Sequence, residues 1–365
     1  MKKFVALLLA AMMVLSVVAV ASAEDMRVAM ITDYGDITDQ SFNQTTYEAA
    51  KAWCEANGVD FTYYKPAGDS TAERVAMVEK ADDEGYNVLV MPGYAFGGTI
   101  AEVQGEYPEI KFVALDVSAG DLGEGVEVAS NVYCAVYQEE LCGYMAGYAA
   151  VKLGYKHLGF LGGMAVPAVV RYGFGFVQGA NAAAEELGIA GDVSVEYVYG
   201  NQFYGDADIT AYMDTWYAAG TEVVFACGGG IFTSAGEAAA KVPGAKVIGV
   251  DVDQAATIDG LYGEGLTVTS AMKGLAATVD TLLTGIKAGE WDNYGGKIDN
   301  LGLVGNEPAA NYVQIAPSTQ FSDTFTADDY AALVAKMFAG DVTVSAAIDA
   351  MPAVAITVND LGTVK

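Results

Sequence analysis

One histidine and four cysteines are all that this 365-residue chain holds of the two residue types that most often carry metals and nucleophilic catalysis. The histidine, His157, stands just before an apolar run and away from the acid-rich turns, where a structural or surface role fits it better than catalysis. Cys54, Cys134, Cys142 and Cys227 show no C-x-x-C pairing, which removes the common zinc and redox motifs. On one helix, the eight residues from Cys134 to Cys142 would rise about 12 Å, beyond a disulfide's reach, so buried free thiols are expected. There is no Gly-x-Ser-x-Gly elbow, no paired-His metal motif and no phosphate loop ending in Gly-Lys-Ser/Thr. Basic residues are scarce as well, 18 Lys and Arg against 47 Asp and Glu, for a net charge of −29. A field of that sign repels phosphate backbones and excludes nucleic acid as a partner.

Long apolar runs are also few. The one exception opens the chain: Met1-Lys2-Lys3, an apolar core from Phe4 to Val20, and Ala21-Ser22-Ala23. This basic, apolar and small-residue order is that of a secretory leader, expected to span 1–23 and to be cut after Ala23. An exported protein follows, periplasmic or extracellular, with a charge of −31 once Lys2 and Lys3 are gone. No Cys precedes Cys54, so a lipid anchor on a leader cysteine is excluded. The roughly 340 remaining residues exceed one compact core and fit two domains.

What the chain has is an alternation of short apolar runs and amphipathic stretches. Val28–Ile31, Phe61–Tyr64, Val88–Met91 and Lys111–Asp116 read as strands, separated by helices over Thr46–Asn57, Ser70–Glu84 and up to Tyr107. Strands that are apolar throughout indicate a parallel sheet covered on both faces. A long helix from about Val136 to Leu153 leads to a second set: strands at Leu158–Gly162, Val193–Val198, Val223–Ala226 and Lys246–Val250 with helices between. The fold class is therefore α/β, two doubly wound parallel-sheet lobes joined by a multi-strand hinge. The first lobe is expected over 26–153 with part of 270–320, the second over 157–267 with part of 320–365, and the ligand cleft between them.

The chemistry gathers at strand ends: Asp33, Tyr94, Asp116, Gly162 with Gly163, Gly228–Gly230 and Asp251. In open parallel sheets ligands sit beyond the carboxyl ends of the strands. A single acid there is as readily a helix cap, but acids recurring at several equivalent ends exceed what capping requires. Carboxylate acceptors, glycines for close backbone approach and rings for stacking suit a polar, ring-bearing small molecule. Asp33, Asp36 and Asp39 are too sparse in oxygen ligands for a hard-cation loop.

The opening turn, Asp33-x-Gly35-x-x-x-Asp39-x-Ser41-Phe42-Asn43, resembles that of the basic membrane protein family of bacterial substrate-binding proteins, the purine nucleoside receptor type. The resemblance continues through Phe112–Asp116, Glu139-Glu140 with Gly143 and Gly147, Gly159–Gly163, Gly175-Phe176 with Gly179-Ala180, Val247–Asp251 with Asp253-Gln254, and Ser270-x-x-Lys273. It implies a type I periplasmic-binding-protein fold, a monomer that delivers a nucleoside to an ABC permease, with no catalytic residue, cofactor or metal. It also implies roles: Asp33 accepts hydrogen bonds from the base, Phe42 stacks on it beside Asn43, and Asp251 with Lys273 and backbone near Gly229 holds the ribose. Tyr94 and Asp116 are further contacts. A second ring is expected from the other lobe, with Phe176 chosen among Phe176, Phe203, Phe225 and Phe232. The glycine segment Ala226–Ser234 departs from the family's Gly-x-Gly-Val ending, which leaves a sugar as an alternative ligand. A sensor handing its ligand to a receptor, and a secreted nucleoside hydrolase working through Asp33 or Asp39, are the competing classes.

Overall fold

The computed structural model describes residues 26–364; the leader expected over 1–23 lies outside them. Two sheets dominate. The first is parallel throughout, in the order β11-β5-β4-β3-β1-β2, from β1 (Arg27–Ile31), β2 (Asp60–Tyr64), β3 (Val88–Pro92), β4 (Lys111–Leu115), β5 (Val132–Tyr137) and β11 (Lys297–Leu301). The second runs β12-β10-β9-β8-β6-β7-β13. Its strands are β6 (His157–Gly162), β7 (Ser194–Tyr199), β8 (Val223–Cys227), β9 (Lys246–Asp251), β10 (Thr267–Lys273), β12 (Val313–Ile315) and β13 (Thr357–Thr363). Only β12 is antiparallel to its neighbour. Every residue of β3 and β8 is buried, as strands covered by helices on both faces must be.

The helices are α1 (Phe42–Asn57), α2 (Thr71–Asp83), α3 (Phe96–Val103), α4 (Ala119–Leu122), α5 (Glu139–Lys152) and α6 (Pro167–Glu186). They continue with α7 (Ala207–Ala219), α8 (Phe232–Ala239), α9 (Ala255–Tyr262), α10 (Leu275–Lys287) and α11 (Ala327–Ala339). Their ends follow local chemistry. Ser70 and Asp206 accept backbone N–H groups at the starts of α2 and α7, while Gly58, Gly220 and Gly340 close α1, α7 and α11 in the left-handed region.

Helix α5, expected in the first lobe, packs instead on α6 and beside β10 and β12, so the chain changes lobe at the β5–α5 junction rather than after 153. The contact is made by four glycines. A Cβ on Gly143 or Gly147 would strike the carbonyls of Tyr172 and Phe176, and one on Gly175 or Gly179 those of Glu140 and Tyr144. Helix α10 goes the other way, packing on α1, where Trp53 Nε1 donates to Thr284 Oγ1 at 2.9 Å.

Three connections therefore join the lobes, at Gln138, at Gly274 and over 302–312. They are bonded to one another: the Gln138 N–H donates to the Leu301 carbonyl (3.0 Å), Tyr312 N–H to Gly302 (3.0 Å) and Gly274 N–H to Tyr312 (2.7 Å).

Candidate functional site

The carboxyl ends of both sheets face one cavity of about 550 Å³, within the range of small-molecule sites. Asp33, Phe42, Asn43, Tyr94, Asp116, Gly229, Asp251 and Lys273, all expected from the sequence, line it. Phe176 does not. It sits on the face of α6 turned toward the second sheet, fully buried, with its ring 5.4 Å from that of Phe225. The phenylalanine ring the second lobe brings to the cavity from the loop after β7 is Phe203, with Phe232, Tyr172 and Tyr204 also in the wall.

At one end of the cavity stands Asp33, two residues past the end of β1. Its Oδ1 accepts the backbone N–H groups of Tyr34 and Gly35, both at 2.7 Å. Its Oδ2 lies against Gly93, where a Cβ would come within 2.5 Å of it. Burial pushes this carboxyl up to about 6, against the pull of those two N–H groups. Tyr34 reaches across the cleft: its ring lies 6.4 Å from that of Phe203 at 28°, and its hydroxyl meets Tyr94 Oη (3.2 Å) and Met164 Sδ (3.7 Å).

Asp39 faces the turn itself. It accepts the N–H groups of Ser41 (2.9 Å), Asn43 (2.9 Å) and Gln44 (3.0 Å), and thus caps α1. Asn43 Nδ2 also donates to it, at 3.3 Å, and leaves the buried Asn43 Oδ1 without a partner among the described residues.

At the other end Lys273 closes β10 in a cage of acids and rings. Its Nζ lies 2.5 Å from Asp116 Oδ2, 3.4 Å from Glu139 Oε1 and 3.8 Å from Asp251 Oδ1, under the rings of Phe42, Tyr137 and Tyr172. Burial opposes its charge, but the three carboxylates outweigh it and hold the ammonium protonated. Glu139 in turn accepts Arg171 Nε at 2.7 Å. The Asp116 carboxyl is raised by burial, with Lys273 pulling it back, and its Oδ1 is a second buried acceptor with no partner among the described residues. Two such acceptors in one cavity call for a ligand that brings hydrogen-bond donors.

Gly163, Gly228 and Gly229 of the second lobe are spacers for Phe203. A Cβ on Gly163 would lie 2.5 Å from its ring, and one on Gly229 would lie 2.8 Å from its carbonyl, which the Gly230 N–H already holds at 2.8 Å. Gly229 also needs its φ of +51°. The four cysteines are buried free thiols, Cys134 in β5 and Cys142 in α5.

A two-lobed α/β receptor with a polar, ring-lined cleft between its lobes is the class of protein that this fold and site define. Residues 26–319 match the Bmp family, ABC transporter substrate-binding protein PnrA-like, and the chain belongs to that family. It is similar to the ABC transporter nucleoside-binding protein BmpA of Lactococcus lactis subsp. cremoris (strain MG1363), 28% identical over 63% of this chain and 65% of that one. It is likewise similar to a CD4+ T-cell-stimulating antigen of Listeria innocua serovar 6a (strain ATCC BAA-680 / CLIP 11262), 28% identical over 77% and 81%. Among solved structures, an ABC transporter solute-binding protein from Conexibacter woesei DSM 14684 superposes with a TM-score of 0.67 at 23% identity, over 88% of this chain and 98% of that one. That likeness establishes the type I periplasmic-binding-protein fold. Members of the family are extracytoplasmic.

Tyr34 and Met164, which line the cavity, and Glu139, buried behind Lys273, are site residues that the sequence reading does not single out. Tyr34 sits inside the opening motif at an unspecified position, and Met164 on a loop without periodicity. Glu139 carried one signal, an acid next to the point where the chain changes lobe.

Proposed function

We propose that the chain is an exported receptor whose leader is removed, and which closes its two lobes on a nucleoside, of the purine class, and delivers it to an ABC permease. The observation that carries this reading is the division of labour in one cavity. Rings from opposite lobes, Phe42 and Phe203, line it together with Asp33 at one end and the Asp251–Lys273 pair at the other. Rings suit a flat base, a carboxylate suits the base's N–H groups, and a carboxylate beside an ammonium suits vicinal hydroxyls. The nucleoside-binding name of the Lactococcus relative supports it.

The hydrolase alternative finds less support, because Asp39 has its oxygens committed to the turn. The reading is tested by titrating inosine, guanosine and adenosine calorimetrically against galactose and glucose. Micromolar or tighter binding of a nucleoside without release of free base is the expected outcome. Tight binding of a sugar with no heat from any nucleoside sinks the reading, and sustained release of hypoxanthine from inosine would make the protein an enzyme.

A further inference from the structure

Ser41 occupies the N-cap position of α1, yet its hydroxyl does not cap the helix. Asp39, two residues upstream, takes the Asn43 and Gln44 N–H groups instead. The freed Ser41 Oγ crosses the cleft and donates to Asp251 Oδ2 at 2.6 Å. Both ends of this bond are buried, Ser41 fully and Asp251 to 95%. Two further bonds run beside it: Gln254 Nε2 donates to the Gln40 carbonyl at 3.0 Å, and Thr257 Oγ1 meets Gln40 Oε1 at 3.3 Å. Gln40 itself is held at φ +58°, a conformation uncommon for such a residue, which turns its carbonyl toward the second lobe.

We infer that Ser41 is a positioning residue and closure latch: its hydroxyl holds Asp251 in place only when the lobes meet, so that closing the cleft completes the second lobe's end of the site. With Oδ2 committed to Ser41, Asp251 turns Oδ1 toward Lys273 (3.8 Å) and the Tyr172 hydroxyl (3.4 Å). In an open cleft Asp251 keeps Tyr172 and Lys273 of its own lobe on Oδ1, but its Oδ2 loses the Ser41 donor and that side of the carboxylate is no longer fixed. The latch also carries the ligand's neighbours with it, since Phe42 follows Ser41 directly in the chain. A bond that forms only on closure contributes after encounter, so it slows departure and leaves arrival unchanged. The inference rests on the reading that the cleft closes around a ligand and is independent of which ligand that is.

The test uses the mature chain, with inosine as probe, in wild type, Ser41→Ala and Ser41→Cys. The thiol keeps nearly the volume of the hydroxyl but is a weak donor, so the two variants separate a lost hydrogen bond from a cavity. Small-angle scattering of the ligand-free proteins is expected to show both variants more open than wild type. Stopped-flow fluorescence is expected to show inosine leaving both variants about tenfold faster or more, as losing a hydrogen bond to a charged group implies, with association within about twofold. Wild-type dissociation and unchanged scattering in Ser41→Cys would overturn the latch. Should wild type fail to bind inosine, the nucleoside reading falls, and the scattering comparison alone still decides the latch.

Discussion

The two lobes are copies of one plan, and their equivalent strand ends show what the plan dictates and what it leaves free. Strand β4 of the first sheet and β9 of the second hold matching places, and an aspartate with positive φ stands at the carboxyl end of each, Asp116 (+61°) just past β4 and Asp251 (+65°) as the last residue of β9. Such a conformation costs about 1 kcal/mol or more in a non-glycine residue, so the same strained corner at both ends points to a shared task, aiming a carboxylate at Lys273. One strand further out the copies part. Leu115 pairs with Ala135 and Val250 with Ala271, which places Tyr137 of β5 and Lys273 of β10 in equivalent positions. The first lobe bonds its phenol to Thr278 at 2.9 Å; the second supplies a cation. At the first strands the difference is as large, Asp33 after β1 against Gly163 just past β6, where the missing side chain makes room for Phe203. Duplicated backbone sets where groups converge, and unlike side chains give the cleft two chemically distinct ends.

The strongest way to break this comparison is to treat the equivalent pair alike. Lys273→Met leaves Asp116, Glu139 and Asp251 buried around an apolar group, and calorimetric unfolding is expected to show a loss of about 3–5 kcal/mol. An unchanged melting temperature would mean that those acids shed their charge or reach solvent without cost. Asp33→Ala, at the end that has no counterpart, is expected to weaken a purine nucleoside about 100-fold by calorimetric titration, because base donors lose their acceptor in a closed site. Unaltered affinity removes Asp33 from the site.

The raised Asp33 carboxyl gives a pH signature. Its ordinary value is 3.8 and its folded value about 6, so the native state takes the proton more readily. The ligand-free protein then loses this group's contribution as pH rises from about 4 to 6 and is level above. Purine binding needs the ionised form and runs the other way: affinity is expected to be flat above pH 6 and to fall about tenfold per unit below it. A pH-independent dissociation constant between 4.5 and 7 would contradict the assignment. Smallest of all, Tyr137→Phe should cost about 1 kcal/mol, one neutral hydrogen bond, with nucleoside affinity unchanged; a loss as large as that of Lys273→Met would mean that the equivalent positions are not differentiated as described.

Much of this asymmetry was legible in the sequence, because strand ends are marked by the switch from apolar runs to acids and glycines. The ring of the second lobe was not. Phe176 and Phe203 both follow apolar strands, but a helix residue's direction depends on rotational phase, and α6 turns Phe176 inward against Phe225. Phe203 lies in a loop that has no period to read. Strand β5, Val-Tyr-Cys-Ala-Val-Tyr, runs into α5 with no glycine or proline between them, and the two read as one helix from Val136. Strand β11, Lys-Ile-Asp-Asn-Leu, is a polar edge strand without the apolar signature of the sheet's centre.

The backbone-to-backbone contact of α5 with α6 has a bearing on Lys273 when the cleft opens. With glycines rather than side chains between them, the two helices leave little to compress or slide, and the start of α5 is fixed to the second lobe like an axle in its housing. Glu139 rides on that axle. A rotation about the three stitched connections would carry Asp116 away with the first lobe and leave Glu139 and Asp251 beside the ammonium. Lys273 would thus exchange one of its three counter-ions for water and never stand alone, and its charge would stay balanced through opening.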